Sequence, residues 1–397
     1  MVSKTSASKT KTKPPAKTPN RQHSSHPSTD QNPIPSTAHH DAVQSQKEQQ
    51  TLLNIFSNAF AAVLSSDRFP TLLQEIKQAL YRRDFGTAFG KEEYLETYAA
   101  RWSPTRALCY ASVFLGIRHY AEALDGPHQA GEQPGHAAER ASMSHGREPS
   151  GADEQHQGHD RDGETRGTTS RPESQSLRML CVGGCAAELV AFASFLRTTN
   201  RHGTLTLLDS GPWAHVTSLL QSAVTTAPPL SKYASAAARA SNEALLGAGQ
   251  LDFAFTEADV LGLTQDRLAE VVGPRPQIVT LLFTLNELYT EAGVGETTRF
   301  LRALGRVLSA GSLLLVVDSP GSYSEAAVGK DKKKYPMQWL LHHTLMQNET
   351  SSVHMWERLE SHDSVWFRLS EELRYPIQLE SMRYQMHLYR LHKNSSD

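Results

Sequence analysis

The sequence predicts an α/β fold, with a doubly wound, Rossmann-like sheet of seven strands, an N-terminal helical cap and disordered segments. Three observations support this fold class. Strand-like and helix-like patterns alternate from residue 177 onward, a turn with two glycines follows the first strand, and residues 1–46 and 126–176 nearly lack large apolar side chains. The folded mass of the 397-residue chain is therefore predicted to lie in residues 47–125 and 177–393.

Residues 1–46 are predicted to form a disordered basic arm. Ser, Thr, Pro, Lys and Gln dominate this segment, and all six of its lysines and arginines precede its first acid, Asp30. Such an arm is typical of a nuclear or nucleolar address, of a weak RNA contact, or of a solvated tail without a specific role. The nucleus or nucleolus and the cytoplasm are both consistent with it. The net charge of −2 for the whole chain gives no argument for a nucleic-acid partner.

Residues 47–125 are predicted to be helical, since apolar side chains such as Leu52, Phe56 and Phe60 recur every three to four residues. This segment has too little core for a second catalytic domain, so it is interpreted as a helical cap on the predicted sheet. Residues 126–176 contain no Val, Ile, Leu, Phe, Tyr or Trp, which predicts a disordered insertion. The five histidines of the insertion lack regular ligand spacing, so a flexible linker without a metal is expected.

From residue 177 the pattern predicts five strands separated by helices, which indicates a parallel sheet with right-handed crossovers. These strands are Arg178–Val182, Thr204–Leu208, Asp252–Phe255, Ile278–Phe283 and Ser312–Val317. Two further strands, Val365–Leu369 and Ser381–Leu391, are separated by about a dozen residues, too few for a helical crossover. They are predicted to close the sheet as a pair with a short connection.

The cysteines indicate the compartment. The chain contains three cysteines, Cys109, Cys181 and Cys185, and they fit no disulfide framework. This predicts a reducing, intracellular setting. No apolar run approaches the length of a membrane span, and the N-terminus lacks the apolar core of a signal peptide. The sequence therefore predicts a protein without a membrane partner.

The turn after the first predicted strand, Gly183-Gly184, is followed by Glu188, and the second strand ends on Asp209. Two glycines permit a tight turn and let a ligand approach the N–H groups at a helix start. Asp209 is placed to accept both ribose hydroxyls of a nucleoside, and Asp259, after the third strand, can accept an adenine amino group. These five residues are predicted to bind a nucleoside cofactor. Glu188 as a first-turn acid, Asp209 as a helix cap and Asp259 as a turn residue are the plainer interpretations.

A glycine turn followed by an acid fits both a nicotinamide dehydrogenase and an S-adenosylmethionine methyltransferase. The turn has no second and third glycine at dinucleotide spacing, so it would cradle a pyrophosphate poorly. Five parallel strands closed by a short-connected pair also match the methyltransferase sheet rather than the dehydrogenase sheet. The sequence therefore favours S-adenosylmethionine as the cofactor.

The segment after the fourth strand contains the predicted catalytic residues Asn286, Glu287 and Tyr289, at the edge where open α/β sheets bind ligands. Asn286 and Tyr289 have the spacing of the Asn-Pro-Pro-Tyr motif of amino-group methyltransferases, without its prolines. A carboxylate such as Glu287 would take the proton from an imide nitrogen as a general base. The plainer interpretation is a helix cap at Asn286, with Glu287 in the first turn.

Basic side chains close to aromatic rings suit phosphate contact combined with base stacking. Six residues in two segments have this character and are predicted to bind an RNA substrate: Arg101, Trp102, Arg106, Lys332, Lys333 and Lys334. The lysine run also has a plainer interpretation as a solvated loop.

Three segments together carry a resemblance to a known family: Tyr98–Tyr110, with the pattern Tyr-x-x-Arg-Trp-Ser-Pro-x-Arg-Ala, then Cys181–Glu188 and Thr284–Tyr289. Over most of residues 50–392 the chain resembles the fungal 25S ribosomal RNA (uracil-N3)-methyltransferase family. This resemblance implies S-adenosylmethionine as methyl donor, a uridine of large-subunit rRNA as target, and that rRNA or a pre-ribosomal particle as partner. It places the five predicted cofactor residues around the donor, and Asn286, Glu287 and Tyr289 beside the target base. Cys185 departs from the third glycine expected in the turn.

The expected function is therefore methylation of uridine N3 in large-subunit rRNA without a metal ion. Two other classes remain open at this point. One is a methyltransferase acting on proteins or small molecules, which needs no basic surface. The other is a non-catalytic ribosome-assembly factor that keeps the fold, and a titration with the donor separates it from both enzymes.

Overall fold

Nine strands are present in the computed structural model, which describes residues 44–125, 176–321, 323–328, 331–347 and 354–393. They are β1 (Ser176–Val182), β2 (His202–Asp209), β3 (Leu251–Glu257), β4 (Ile278–Leu282), β5 (Leu313–Asp318), β6 (Tyr323–Val328), β7 (Asp331–Pro336), β8 (His354–Phe367) and β9 (Met382–Lys393). Seven of these form one sheet in the order β3-β2-β1-β4-β5-β9-β8, while β6 and β7 form a separate hairpin. Strands β1 to β5 are parallel, and β9 is antiparallel to both β5 and β8. The predicted doubly wound, seven-stranded sheet is confirmed.

The position of each strand explains how well the sequence predicted it. The inner strands β4 and β5 are buried along their whole length, so they read as continuous apolar runs. The edge strand β8 is different, because it pairs only with β9 and exposes many polar side chains. Its pairing register also shifts between Arg358 and Glu360 and between His362 and Val365, which interrupts the alternation. The predicted strand Val365–Leu369 was therefore wrong at its start.

Within the described residues, seven helices precede the sheet: α1 (Gln46–Ala59), α2 (Ala61–Leu64), α3 (Phe69–Tyr81), α4 (Phe85–Phe89), α5 (Glu92–Arg101), α6 (Ser103–Gly116) and α7 (Arg118–Glu122). Helix α1 begins with a reciprocal capping box between Ser45 and Glu48, which satisfies two backbone N–H groups. The predicted helical cap is confirmed as a layer of helices. The predicted basic arm up to residue 43, and the predicted insertion up to residue 175, lie outside the described residues.

Seven more helices accompany the strands in the described ranges: α8 (Ala186–Thr199), α9 (Ala214–Thr225), α10 (Ala236–Ala240), α11 (Gln265–Val272), α12 (Leu285–Glu291), α13 (Gly293–Val307) and α14 (Met337–Met346). One face of the sheet packs against α1, α6, α8 and α9, and the other packs against α11, α13 and α14. The N-terminal helices thus share a core with the sheet. The hairpin and α14 lie in a stretch that the sequence suggested to be only a long connection.

The loop between β8 and β9, residues 368–381, crosses the N-terminal helices, and we call it the C-terminal strap. The Tyr375 hydroxyl donates to the carbonyl oxygen of Ala100 at 2.8 Å. The Gln50 side chain bonds the backbone of Arg374 in both directions, at 2.8 and 2.9 Å. Apolar side chains of the strap pack on the same core as α1 and α6. The strap therefore holds the helical layer against the sheet.

All three cysteines are buried and unpaired. No helix in the described part of the chain has both the length and the apolar character that crossing a bilayer requires.

Candidate active site

A cleft of about 540 Å³ opens at the carboxyl ends of β1, β2 and β4. This is the edge where doubly wound sheets bind ligands. The N-terminal helices form one wall, and the loops after the strands form the others. Lining residues with a part in the site's geometry are Phe89, Tyr98, Arg106, Gly183, Gly184, Glu188, Asp209, Trp213, Asp259, Phe283, Thr284 and Glu287.

The glycine turn forms the floor of the cleft, and an added side chain at either glycine would meet a neighbouring side chain. Gly183 has φ +73°, and a Cβ there would lie 2.2 Å from Cγ2 of Thr284. A Cβ on Gly184 would lie 2.4 Å from Oε1 of Glu188. Thr284 also donates its hydroxyl to the carbonyl oxygen of Gly183 at 3.0 Å. The turn is thus locked between the start of α8 and the end of β4.

Cys185 stands where the resemblance leads one to expect a third glycine. Its φ is −132°, so the backbone does not need glycine at this position, and its side chain is buried. Burial also raises the pKa of the Cys185 thiol well above its ordinary value. The turn therefore closes with a small apolar residue in place of the glycine.

Glu188 and Asp209 place two carboxyl groups beside the turn. Burial raises the pKa of Glu188 to about 7, against the opposing effect of Arg106. Burial likewise raises the pKa of Asp209 to about 6, although its Oδ1 accepts the Gly211 N–H at 2.7 Å. Neither carboxyl forms an ion pair with any described residue. A cationic ligand in the cleft would therefore favour their ionised forms.

Asp259 borders the cleft differently. Its side chain is exposed, and its Oδ1 accepts the Leu261 N–H at 2.9 Å at the start of a short 3₁₀ turn. The turn role that the sequence offered as the plainer interpretation is thus present. Asp259 also lies in the cleft wall, and we propose contact with the ligand as its second role.

Glu287 and Arg106 face each other across the cleft. Burial raises the pKa of Glu287 to about 8, partly offset by the positive charge of Arg106. The Arg106 guanidinium lies 4.8 Å from the ring centre of Phe283 and 5.5 Å from that of Tyr98, whose hydroxyl it also bonds. The arginine is thus fixed between two rings and acts electrostatically on both Glu188 and Glu287.

Five aromatic residues line the cleft and were not among the predicted site residues: Phe85, Phe89, Tyr98, Trp213 and Phe283. Phe283 has φ +62°, a conformation that residues other than glycine rarely adopt and that is often retained at functional sites. Tyr98 contacts Phe89 edge-on at a centroid distance of 5.0 Å and Trp213 at 6.1 Å. Only the position of Phe283 at the end of a strand, and the place of Tyr98 in the Tyr98–Tyr110 segment, offered a sequence signal.

Two of the predicted catalytic residues do not line the cleft. Tyr289 is buried in the core between the sheet and α13, so its ring cannot stack on a substrate base. That prediction is corrected, because two residues along a helix correspond to roughly 200°, which places residue 289 on the side of α12 opposite Glu287 and the cleft. The backbone N–H of Asn286 donates to Oδ2 of Asp318 at 3.0 Å. Of the three residues, only Glu287 lines the cleft.

The predicted substrate residues also divide. Arg106 lines the cleft, whereas the Arg101 guanidinium is buried and pairs with Glu380 of the C-terminal strap at 2.9 Å. The Trp102 ring packs on Tyr98 at 4.9 Å and does not reach the cleft. These two predictions are therefore corrected to structural roles. Lys332, Lys333 and Lys334 lie on β7, and their side chains are outside the described residues.

The glycine turn gives a first prediction. Gly183→Ala should weaken donor binding by at least tenfold and lower the melting temperature, because the new methyl group overlaps Thr284 in a left-handed backbone conformation. Gly249→Ala is the matched control, since Gly249 has φ +69° with no atom within 4 Å of the added Cβ. Calorimetric titration and thermal melts measure both effects. Equal behaviour of the two variants would contradict the steric argument.

The carboxyl of Glu287 gives a second prediction. Its pKa is raised from 4.5 to about 8 by folding, so the folded state binds more protons and stability falls as pH rises between these values. Glu287→Gln should remove this loss, which amounts to as much as ~3 kcal/mol at pH 7. Melting curves without donor should show equal stability at pH 4 and a more stable variant at pH 8. A constant difference between variant and wild type across this range would refute the assignment.

The strand order, with an antiparallel strand beside β5, and a glycine turn flanked by buried acids together define a Rossmann-like methyltransferase. Residues 56–390 match the model of a family described as "Putative SAM-dependent methyltransferase", where SAM is S-adenosylmethionine. The chain belongs to this family. It is therefore an S-adenosylmethionine-dependent methyltransferase.

Relatives were also found among curated proteins and solved structures. The 25S rRNA (uridine(2843)-N(3))-methyltransferase of Saccharomyces cerevisiae is 29% identical over 340 residues, which cover 80% of this chain and 76% of that protein. A methyltransferase structure from Methanosarcina mazei is 12% identical, with a TM-score of 0.30 over 55% of this chain and 94% of that chain. An O-methyltransferase family protein from Burkholderia thailandensis is 10% identical, with a TM-score of 0.32 over 83% and 71% of the two chains.

The residues of the cleft fit S-adenosylmethionine, which carries a sulfonium, an ammonium and a carboxylate. The glycine turn leaves no room for a Cβ, so a ligand can approach its backbone closely. Buried carboxyls on either side suit a cationic ligand. We expect the turn and Glu188 to hold the methionine part and Asp209 to hold the ribose.

Proposed function

We propose that this methyltransferase modifies N3 of a uridine in large-subunit rRNA, with that rRNA or a pre-ribosomal particle as its partner. The yeast relative is named for this reaction and matches most of the chain. The observation that carries the proposal is Glu287, a half-buried carboxyl in the cleft whose pKa is raised to about 8. An imide nitrogen must lose its proton before it can attack a methyl group, and a carboxyl with this pKa is suited to take that proton near neutral pH.

Bound S-adenosylmethionine supplies the electrophilic methyl group, which requires in-line attack by the target atom. Glu287 in its ionised form would accept the N3 proton of the uracil ring, and N3 would then take the methyl group while the carbon–sulfur bond of the donor breaks. Arg106 lies close enough to stabilise the negative charge that develops on the ring. Phe283 and Tyr98 hold Arg106 in place and present aromatic surface to an extruded base.

The proposed cofactor residues are Gly183, Gly184, Glu188, Asp209 and Asp259, and the proposed catalytic residues are Glu287 and Arg106. The folded catalytic part is proposed to span residues 177–393 with residues 47–125 as its helical cap. Location in the nucleus or nucleolus, and a role of the basic arm in it, are proposed on the rRNA substrate of the yeast relative.

Mass spectrometry of nucleosides from large-subunit rRNA tests this function. We expect 3-methyluridine to fall in cells that lack the chain and to return with the wild-type protein, but not with Glu287→Gln. An unchanged nucleoside profile in cells lacking the chain would refute uridine N3 as the target.

A further inference from the structure

Trp366, near the end of the edge strand β8, is a large aromatic side chain that the fold does not use as core. It is 53% exposed. The guanidinium carbons of Arg368 and Arg383 lie over its ring, at 5.0 and 5.8 Å from the centroid. Arg383 is fixed by a hydrogen bond from its Nε to Oγ of Ser364 at 2.6 Å. We call Trp366, Arg368 and Arg383 the tryptophan platform.

The platform lies at the same edge of the sheet as the cleft. Trp366 pairs with Arg383 on β9, and two residues further along β9 Gln385 pairs with Asp318, the last residue of β5. Strands β5 and β9 lie between β4, which carries the catalytic segment, and β8. Three strand spacings separate β4 from β8, which is roughly 15 Å. A short stretch of unpaired RNA can span this distance.

A groove of about 1040 Å³ continues from the platform along the sheet face that carries α14. Ser364, the partner of Arg383, lines one end of it. Trp339, which is 47% exposed and stacks on Tyr335 at 4.9 Å, lines it from α14. Basic side chains within the groove are Arg358, His342, His362 and His387, and acidic ones are Glu360 and Asp363. Burial lowers the pKa of His387 to about 4 and also lowers that of His342, so these two rings add no positive charge at neutral pH. The groove therefore continues the aromatic surface of the platform through Trp339, while the positive charge is concentrated at the platform itself.

Two features argue for a nucleic-acid strand as the occupant of this surface. An exposed ring with arginines over it offers a base a stacking surface and a phosphate a cation at once. Arg383 is also held by its place in β9 and by Ser364, so little of its side-chain entropy would be lost on binding. A protein partner would be expected to require a larger apolar patch than one indole ring.

We propose that the tryptophan platform binds an unpaired nucleotide that flanks the target uridine, with its base on Trp366 and its phosphate on Arg368 and Arg383. The α14 groove carries the strand onward from there. This inference rests on the proposed function, because it requires RNA as the substrate. Recognition of the nucleotides next to the target is thereby assigned to a surface outside the cleft. The cleft itself then needs to recognise only the uracil ring.

The experiment measures the affinity of unmethylated large-subunit rRNA, purified from cells lacking the chain, for purified full-length variants. Trp366→Ala should raise Kd about tenfold, in the range found for loss of one base–aromatic stack. Trp366→Phe keeps a ring and should remain within about threefold of wild type. Arg383→Ala should also weaken binding and reduce the salt dependence by about one phosphate contact. Donor affinity should be unchanged in all three.

The chain contains a matched control. Tyr233 is 83% exposed with Lys232 over its ring at 4.9 Å, but it lies in a connection between α9 and β3, at the opposite edge of the sheet. Tyr233→Ala and Lys232→Ala should bind RNA as wild type does.

Two results would overturn different statements. The first result concerns an rRNA that the wild type methylates. If Trp366→Ala and Arg383→Ala bind this rRNA with wild-type affinity, the platform is not an RNA site. If the wild type methylates no uridine, the proposed function fails. Even then, a loss of RNA affinity in Trp366→Ala and Arg383→Ala would show that the platform binds RNA. Equal RNA affinity of wild type and variants would refute the platform as well.

Discussion

Glu287→Gln is expected to lower the methylation rate by roughly 10²–10⁴-fold, the usual contribution of a general base. Glutamine keeps the shape of the side chain but cannot accept the imide proton. Donor affinity should stay within about threefold, because the ribose and methionine contacts are assigned to other residues. Single-turnover rates on unmethylated rRNA, with donor affinity from calorimetry, separate the two quantities.

The wild-type pH profile of this step depends on the pKa of about 8 at Glu287. The base acts when ionised, so the rate should rise with pH through this value and level off above it. Glu291→Gln is the matched control, since Glu291 is exposed at the rim one turn further along α12. It should keep the rate at high pH and move the pH profile only slightly toward lower pH, because the charge of Glu291 makes a minor contribution to the raised pKa of Glu287. A wild-type rate that does not change between pH 6 and 9 would argue against Glu287 as the base.

Asp209→Ala is expected to weaken donor binding at least 100-fold and to abolish activity at ordinary donor concentrations. The aspartate both caps its turn through the Gly211 N–H and presents a buried carboxyl to the cleft. Asp209→Asn separates these roles, because the amide oxygen can still cap the turn while the charge is lost. Because folding raises the pKa of Asp209 from 3.8 to about 6, we expect the asparagine variant to melt at or above the wild-type temperature at neutral pH and still to bind donor at least tenfold more weakly.

The pH dependence of donor binding provides a further check on the same site. Since the pKa values of Asp209 and Glu188 are raised to about 6 and 7, affinity for a cationic donor should increase as pH rises from 5 to 8. In Asp209→Asn the part of this increase near pH 6 should disappear. Asp266→Asn is the comparison variant, because the exposed Asp266 lies outside the cleft and its loss should change neither the affinity nor its pH dependence.

The sequence predicted the fold better than the site. The inner strands were found because burial on both faces produces unbroken apolar runs. The turn was found because two adjacent glycines follow a strand, and at Gly183 a left-handed backbone conformation favours glycine. The edge strand β8 was largely missed, since its polar side chains and register shifts hide the period of a strand. A local sequence pattern therefore identifies those residues whose own backbone conformation or burial is constrained.

The errors at the site concern residues whose roles depend on distant partners. Arg101 has the same local context as Arg106, and only the fold shows that one pairs with Glu380 while the other faces Glu287. Tyr289 lies two residues from Glu287, yet helix geometry turns it into the core. The role of Arg101 is decided by an ion pair with a strap residue 279 positions away, which no local pattern shows. The role of Tyr289 is decided by which face of α12 meets the core, and that face is known only once the helix is placed on the sheet.

The C-terminal strap has a consequence for how the protein is made. The bonds between Gln50 and Arg374 join residues 324 positions apart, so the helices that wall the cleft are synthesised long before the loop that fastens them. At ~5–20 residues per second, the interval is roughly 15 to 65 seconds. During that time α1 and α6 expose apolar surface that only the finished chain covers. A ribosome that stops before the strap therefore releases a chain whose N-terminal helices still expose part of their apolar surface. Such a chain is a natural target for chaperones.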